Sequence, residues 1–369
     1  MTNIALPPLS LYIHYPWCVK KCPYCDFNSH EGENRSGYIQ ALLRDLDQDL
    51  DYIQGRSIQS IFIGGGTPSL MSEQDLSTLF TGLKSRLSFD ENIEITLETN
   101  PGTFEIEKFK AFKDIGINRL SIGVQSFNDQ HLLSLGRIHN AKEAVKACTL
   151  ASDLFDNFNI DLMYGLEGQS IDNCLSDINQ AIDLNPQHIS FYQLTIEPNT
   201  LFAKFPPHLP KDDDIWRMGE QGAILLEQHG FKRYEVSAYG QASKHNLNYW
   251  NFGDYLGIGA GAHGKITELK TKQIIRTQKA KSPKDYINNQ KRTTNTVNNP
   301  VFEFMLNALR LQQGFDIDVF NKRTNQSIDT IQAQLNQAQQ LGLIEQNSQR
   351  IKPTEKGYNF LNDLIEMFL

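Results

Sequence analysis

Cysteine is scarce: five residues in 369, an odd number and unevenly spread. A disulfide framework needs an even, dispersed set and an oxidising compartment, so a reducing compartment is expected instead. Positive charge is in the minority, with 35 Lys and Arg against 43 Asp and Glu and a formal net charge of −8. That balance argues against nucleic acid or an anionic membrane as the main partner. No apolar run approaches the ~18 residues of a membrane span. The first basic residue is Lys20, so the start lacks the charged n-region of a signal peptide. The expectation is a cytoplasmic protein. Hydrophobic residues make up 40% and charged residues 21%, ordinary for a globular chain. At ~150 residues per domain, the length suits two domains, or one large domain with an appendage.

Six short apolar runs of strand length are present: Leu9–Tyr15, Ser60–Gly65, Ile93–Asn100, Arg119–Ser126, Asn159–Tyr164 and His188–Thr195. Helical patterns lie between them. Ile39, Leu43, Leu46, Leu50 and Ile53 form one stripe. Ser72 with Asp75 reads as a capping box, and Thr103 as the cap of a helix carrying Ile106, Phe109 and Phe112 that stops at Gly116. Ser170 starts a further helix that ends before Pro186. Repeated βα units predict an α/β fold with a parallel sheet, open or closed into a barrel, whose chemistry sits at the carboxyl ends of the strands. Four polar or glycine-rich loops follow strands at that end: Gly64–Pro68, Glu98–Pro101, Gln125–Asn128 and Tyr164–Leu166.

The rhythm stops after Thr195, where Pro198, Pro206, Pro207 and Pro210 mark a boundary. A helix over Glu220–Gln228 and a strand over Tyr234–Tyr239 are predicted beyond it. Residues 265–292 hold nine basic and two acidic residues with one aromatic, Tyr286, and read as a solvated hairpin or loop. From Asn299 the pattern is helical, with a turn near Gly342 and a hairpin through Ile351, like a small winged-helix bundle. The predicted division is therefore 1–200, 201–295 and 296–369. Gly257, Gly259, Gly261 and Ala262 satisfy a loose dinucleotide-binding pattern. Neither a helix nor an acidic residue ~20 positions on follows, so a close backbone approach is expected there.

Cys18, Cys22 and Cys25 lie within eight residues, directly after the first strand. Three thiolates can converge on one point. Four would close a metal site, whereas three leave one coordination position open. Zinc with a remote fourth ligand and three buried core cysteines are the other readings. Lys20, Lys21 and Pro23 interleave the cysteines and speak against the core reading. Cys148 and Cys174 fall on helical stripes and read as small core residues.

Cys18-x3-Cys22-x2-Cys25, with Tyr24 before the last cysteine, resembles the radical-SAM signature. The likeness extends through Tyr12–Cys18, Gly64–Pro68, Gly123–Phe127, Asp161–Leu166 and His245–Trp250, in order. Together these resemble the family of oxygen-independent coproporphyrinogen III dehydrogenase and its heme-chaperone branch. The resemblance covers nearly the whole chain. It implies a partial (β/α)6 barrel with a helical, winged-helix-like C-terminal domain. It also implies a 4Fe–4S cluster on Cys18, Cys22 and Cys25 that chelates S-adenosylmethionine (SAM), with the cofactor carrying the hard chemistry. Gly65, Gly66 and Thr67 would admit the methionine part of SAM. Tyr12 and Tyr24 would lie beside cluster and adenine, and Glu98 on a ribose hydroxyl or the ammonium group. Gln125, Arg137 and Asp161 match residues lining SAM pockets in the family. An Arg137–Asp161 ion pair is the structural alternative.

One departure separates the two branches. The dehydrogenase carries a fourth cysteine two residues after the third, where this chain has Phe27. The heme-chaperone branch also has Phe there. That branch implies heme as a third bound group, with His245 as candidate iron ligand, Tyr249 and Trp250 flanking the macrocycle, and His263 as the next candidate. The implied partners are a heme donor, a heme-accepting respiratory apoprotein and a flavodoxin- or ferredoxin-like electron donor. A homodimer and peripheral membrane contact through the acceptor stay open. The dehydrogenase, or a radical-SAM enzyme acting on another substrate, is the alternative function. No residue is assigned a catalytic role from sequence.

Overall fold

The computed structural model describes residues 6–32, 36–103 and 105–369. Six parallel strands form its centre: β1 (Leu9–Tyr15), β2 (Ile58–Gly65), β3 (Phe89–Thr99), β4 (Arg119–Gln125), β5 (Phe158–Tyr164) and β6 (His188–Gln193). Each matches one of the apolar runs. Helices α1 (Tyr38–Asp49), α2 (Glu73–Lys84), α3 (Ile106–Ile115), α4 (Ala141–Leu154) and α5 (Ile171–Asp183) return the chain between them. On β1, Leu9, Leu11, Ile13 and Tyr15 pack outward against the helices, all nearly or fully buried. Each such side chain contributes about 1.5–3 kcal/mol relative to exposure. Ser10, Tyr12 and His14 alternate onto the inner face.

Polar caps set the helix starts. Ser72 accepts from the Asp75 amide, while Asn140 and Ser170 each complete a capping box, with Glu143 and Asn173. Thr103 does not cap α3. It lies in a short 3-10 turn, Pro101–Thr103, where its hydroxyl bonds the Asn100 carbonyl, and α3 begins after Glu105.

The sheet is wider than the six runs indicate. Among the described residues it has twelve strands, adding β7 (Arg233–Glu235), β8 (Ala238–Gly240), β9 (Asp254–Ile258), β10 (His263–Glu268), β11 (Gln273–Lys279) and β12 (Arg292–Thr296). The order is β12-β11-β10-β9-β1-β2-β3-β4-β5-β6-β8-β7, with β9 parallel to β1. The strand expected over Tyr234–Tyr239 is two short antiparallel strands, and the helix expected over Glu220–Gln228 is the longer α6 (Asp212–Gln228).

The basic stretch 265–292 is a correction. It contains an antiparallel hairpin, but not a solvated one: the Lys265 and Lys279 side chains are 2% and 1% exposed and paired with buried aspartates. Gly257–Ala262 is a tight passage between strands, as expected. A Cβ on Gly257 would sit 1.9 Å from the His263 carbonyl oxygen, and one on Gly259 2.3 Å from that of His14.

A second apolar core gathers the C-terminal helices. Phe304 meets Phe252, Phe315 and Phe320 edge-on, and a three-stranded sheet (Phe315–Asp316, Arg350–Pro353, Ile344–Gln346) flanks them. This is the helix-and-hairpin arrangement expected of the C-terminal region. No helix among the described residues is long and apolar enough to cross a membrane.

Candidate cluster and cofactor site

The Gly64–Pro68 loop is stitched to the chain entering the cysteine segment. The Gly66 amide donates to the Tyr15 carbonyl and the Thr67 amide to that of Trp17, both at 2.7 Å. A side chain on Gly66 would strike the Trp17 carbonyl at 2.5 Å, so only glycine permits this approach. Cys18, Cys22 and Cys25 follow on a loop closed by a Cys25 amide to Cys22 carbonyl bond of 3.1 Å. All three thiols are free and partly exposed, whereas Cys148 and Cys174 are buried in helices, as expected.

The three cysteines line one pocket at the carboxyl ends of β2 to β6. Tyr24, Gly65, Gly66, Glu98, Gln125, Arg137 and Asp161 line it too. Ten of the twelve predicted cluster and SAM residues therefore line it. Thr67 and Tyr12 do not reach the wall. Thr67 is 2% exposed and accepts from Asn100 behind the loop; Tyr12 lies a layer deeper, stacked on Phe62 and bonded to His14.

Arg137 organises the cysteine side. It donates to Cys22 Sγ at 3.6 Å, to Tyr24 at 3.4 Å, and to the Asn100 side chain and Gly123 carbonyl. No Arg137–Asp161 ion pair forms. Gln125 holds a left-handed backbone (φ 72°) at the end of β4, a strained conformation that turns its side chain to accept from Tyr192 at 2.8 Å. Sequence reading missed Tyr192, Asn100, Ser121 and Gly123 as lining residues. Asn100 and Gly123 sat inside segments already singled out, whereas Tyr192 was hidden in an apolar strand.

The pocket is chemically divided. Burial pushes the Cys18 and Cys25 thiols up, so their thiolates require a compensating cation. On the other wall, burial pushes Glu98 up to about 7, with Asp161 adding to the shift and the Gly65 amide, 3.0 Å away, opposing it. Asp161 is itself raised by burial. Two carboxylates held at electrostatic cost suit a cationic ligand. Three free thiols opposite an acidic wall therefore suit a cluster with an open position and a ligand carrying positive charge.

The heme candidates lie elsewhere. His245 lies in the first turn of helix α7 (Lys244–Trp250) at the amino ends of the strands, 2% exposed. Its Nδ1 bonds Ser60 at 3.0 Å, its ring stacks on Phe62 at 5.1 Å, and Tyr249 meets it edge-on at 4.7 Å. Trp250 packs under Arg310 at 4.4 Å. In this conformation the segment packs into the barrel as a plug, and His245 is buried there with its Nε2 unpaired. His263 is exposed and starts β10 on the cluster side, beside the Gly261 turn that approaches Asn28.

A partial barrel of parallel strands, with three open thiols and a glycine loop on its carboxyl rim, defines a radical-SAM-type protein. The model of the radical SAM superfamily matches residues 12–181, and that of the HemN C-terminal domain residues 296–360. The superfamily implies a 4Fe–4S cluster and SAM. The heme chaperone HemW of Haemophilus influenzae is 50% identical over 379 residues, covering 99% of this chain and 98% of that protein. HemW of Escherichia coli is 49% identical over 377 residues, with 99% of each covered. Coproporphyrinogen III oxidase (HemN) from E. coli, a radical SAM enzyme, superposes with a TM-score of 0.82 at 22% identity, covering 98% of this chain and 90% of that one. At that identity the likeness speaks for the fold. The chain belongs to the heme chaperone HemW family.

Proposed function

We propose that this protein binds heme and passes it to an acceptor apoprotein, using a 4Fe–4S cluster on Cys18, Cys22 and Cys25 with SAM beside it to gate binding or transfer. The full-length likeness to heme chaperones carries this reading. Phe27 supports it: the position that holds a fourth cysteine in the dehydrogenase is here an aromatic ring, 60% exposed on the pocket rim. When bound, the cluster supplies one-electron reduction of SAM. Arg137 holds Cys22 and Tyr24 in place; Glu98 and Asp161 would hold the cationic part of SAM, and Gly65 and Gly66 would give it room. The proposed setting is the cytoplasm, with a heme donor and a flavodoxin- or ferredoxin-like electron donor as further partners.

Heme needs an axial ligand that is open to it. His263 is the exposed candidate, so it is the expected ligand, and His245 the plug. The test is an anaerobic heme titration of cluster-reconstituted protein, followed in the Soret region. A saturable one-to-one band is expected, weakened in His263→Ala and retained in His245→Ala. Loss only in His245→Ala would show that α7 swings out to bind heme. No specific band, together with SAM-dependent decarboxylation of coproporphyrinogen, would overturn the chaperone reading for the dehydrogenase.

The acidic wall makes SAM binding pH-dependent. A cationic ligand favours ionised Glu98, which in the free protein titrates at about 7. Below that value binding must expel a proton, so affinity falls with decreasing pH, by up to about tenfold per unit. Glu98→Gln is expected to weaken SAM and flatten the profile; calorimetric titration from about pH 6 to about pH 8 measures both. An unchanged slope in the variant would assign the proton to another group.

A further inference from the structure

Inside the barrel, below the cofactor pocket, a chain of buried polar side chains crosses from β5 to α7. Its hub is Asn159, 1% exposed. The Ser190 amide donates to Asn159 Oδ1 at 3.0 Å, and this fixes the orientation of the side-chain amide. Asn159 Nδ2 therefore donates, to Asp161 Oδ1 at 2.7 Å and to Ser121 Oγ at 2.8 Å. His188 Nδ1 lies 2.6 Å from the same Oδ1, so it must carry the proton. The other ring nitrogen, Nε2, is then an acceptor, and the Tyr234 hydroxyl, 2.9 Å away, must donate to it. With its proton committed, the Tyr234 oxygen accepts from Asn246 Nδ2 at 3.3 Å and from the Ser243 amide at 3.4 Å. Burial keeps His188 neutral, its pKa pulled well below the usual value, so the tautomer persists across the working pH range.

Every donor in this chain points the same way, from the plug helix towards one carboxylate. We infer that Tyr234, His188 and Asn159 form a one-way hydrogen-bond relay that positions Asp161 in the SAM pocket and couples that pocket to the helix Lys244–Trp250. The inference rests on the reading that the pocket takes SAM. Asp161 lines the pocket; Asn159, His188 and Tyr234 are absent from its wall and act through it. They are positioning residues.

The direction of coupling follows from charge. The charge on Asp161 is held against burial. A cationic ligand stabilises that charge. Bonds to an ionised acceptor are roughly twice as strong as neutral ones, and each donor in a chain polarises the next. SAM is therefore expected to tighten the far end, where the Asn246 side chain and the Ser243 amide reach Tyr234, beside the Glu94 carboxylate that takes the Ser243 hydroxyl and the Lys244 and His245 amides. By linkage, fixing α7 strengthens SAM binding by the same factor.

The relay has a stereochemical handle. An Asn at position 188 places its amide N–H where His Nδ1–H stood but cannot reach Tyr234, whereas Phe makes neither bond. In cluster-reconstituted full-length protein, calorimetry gives the SAM affinity and amide hydrogen exchange of residues 244–250 gives the far end. In the wild type, SAM is expected to slow exchange there. His188→Asn should keep SAM affinity within about threefold but lose that protection. His188→Phe should lose both, with SAM weakened about tenfold, because Asn159 loses the shortest of the bonds that hold its amide against the charged Asp161. Tyr234→Phe should behave like His188→Asn. Iron content, set by the distant cysteines, should match the wild type in all three. Equal SAM protection of 244–250 in Tyr234→Phe and wild type would overturn the relay, as would equal weakening of SAM by Asn and Phe at position 188. Failure of the wild type to bind SAM would instead remove the reading of the pocket, and the relay with it.

Discussion

Alanine in place of Cys18, Cys22 or Cys25 is expected to leave reconstituted protein without iron or acid-labile sulfide. Each thiol supplies one of three positions around a single pocket; among the described residues no group of three or more His, Cys, Asp or Glu, these cysteines included, is drawn together around a single metal ion. With one removed, two thiolates remain for a cluster whose capture depends on convergent ligands. The effect should be nearly all-or-none. It should also be local, because the cysteine segment is partly exposed and its backbone is held by other contacts, such as the His30 amide to Pro16 carbonyl bond of 2.7 Å. Cys148→Ala, in the buried face of α4, is the matched control and should retain full iron. Iron and sulfide analysis with the visible absorption band decides the matter. Full iron content in any of the three pocket variants would contradict the ligand assignment. Stoichiometric zinc without sulfide in the wild type would replace the cluster by a structural metal.

The parallel core was legible because its signals are local. Strands buried on both faces are near-continuous apolar runs, and the polar loops after them fall at the end where parallel sheets place chemistry. The cysteine spacing and the loop glycines were legible for the same reason: each constraint lies within a few residues. What stayed hidden depends on distant partners. Tyr192 reads as a strand aromatic until β6 is set beside Gln125. The burial of His245 emerges only once α7 is seen packed against Ser60 and Phe62. Thr103 looked like a cap because the residue type is right, yet α3 starts two residues later. Strands β9 to β12 were obscured because their lysines resemble those of a surface loop. Lys279 proves interior only through its pairing with Asp45, 234 residues away, and Lys265 through its pairing with Asp254 on the neighbouring strand.

Lys279→Ala is expected to lower stability by about 3–5 kcal/mol, the cost of stranding a buried charge. Lys279 lies on β11, and its ammonium group pairs with Asp45 and, at 2.7 Å, with Asp49, both on α1; the side-chain exposures are 1%, 0% and 1%. Tyr286 donates to Asp45 at 2.6 Å, and Arg292 reaches Asp49 from the adjacent strand. Burial already raises the Asp45 pKa, and Lys279 is the largest influence opposing that rise. Without the lysine, the Asp45 carboxyl should titrate higher still in the folded state. A carboxyl whose folded pKa exceeds its unfolded value favours folding in its protonated form, and that benefit is lost as pH rises through the folded value. The deficit of the variant should therefore be largest at neutral pH and shrink in mild acid. Urea unfolding at the two conditions measures it, and a deficit below about 1 kcal/mol at neutral pH would show that the pair is replaceable. The consequence reaches the cofactor site. Asn28, three residues after Cys25, donates to the carbonyls of Ala260 and Lys281 at 2.9 and 2.8 Å, on either side of this strand pair. Loosening β11 should release that anchor, so the variant is expected to lose its cluster faster than wild type even under conditions where it remains folded.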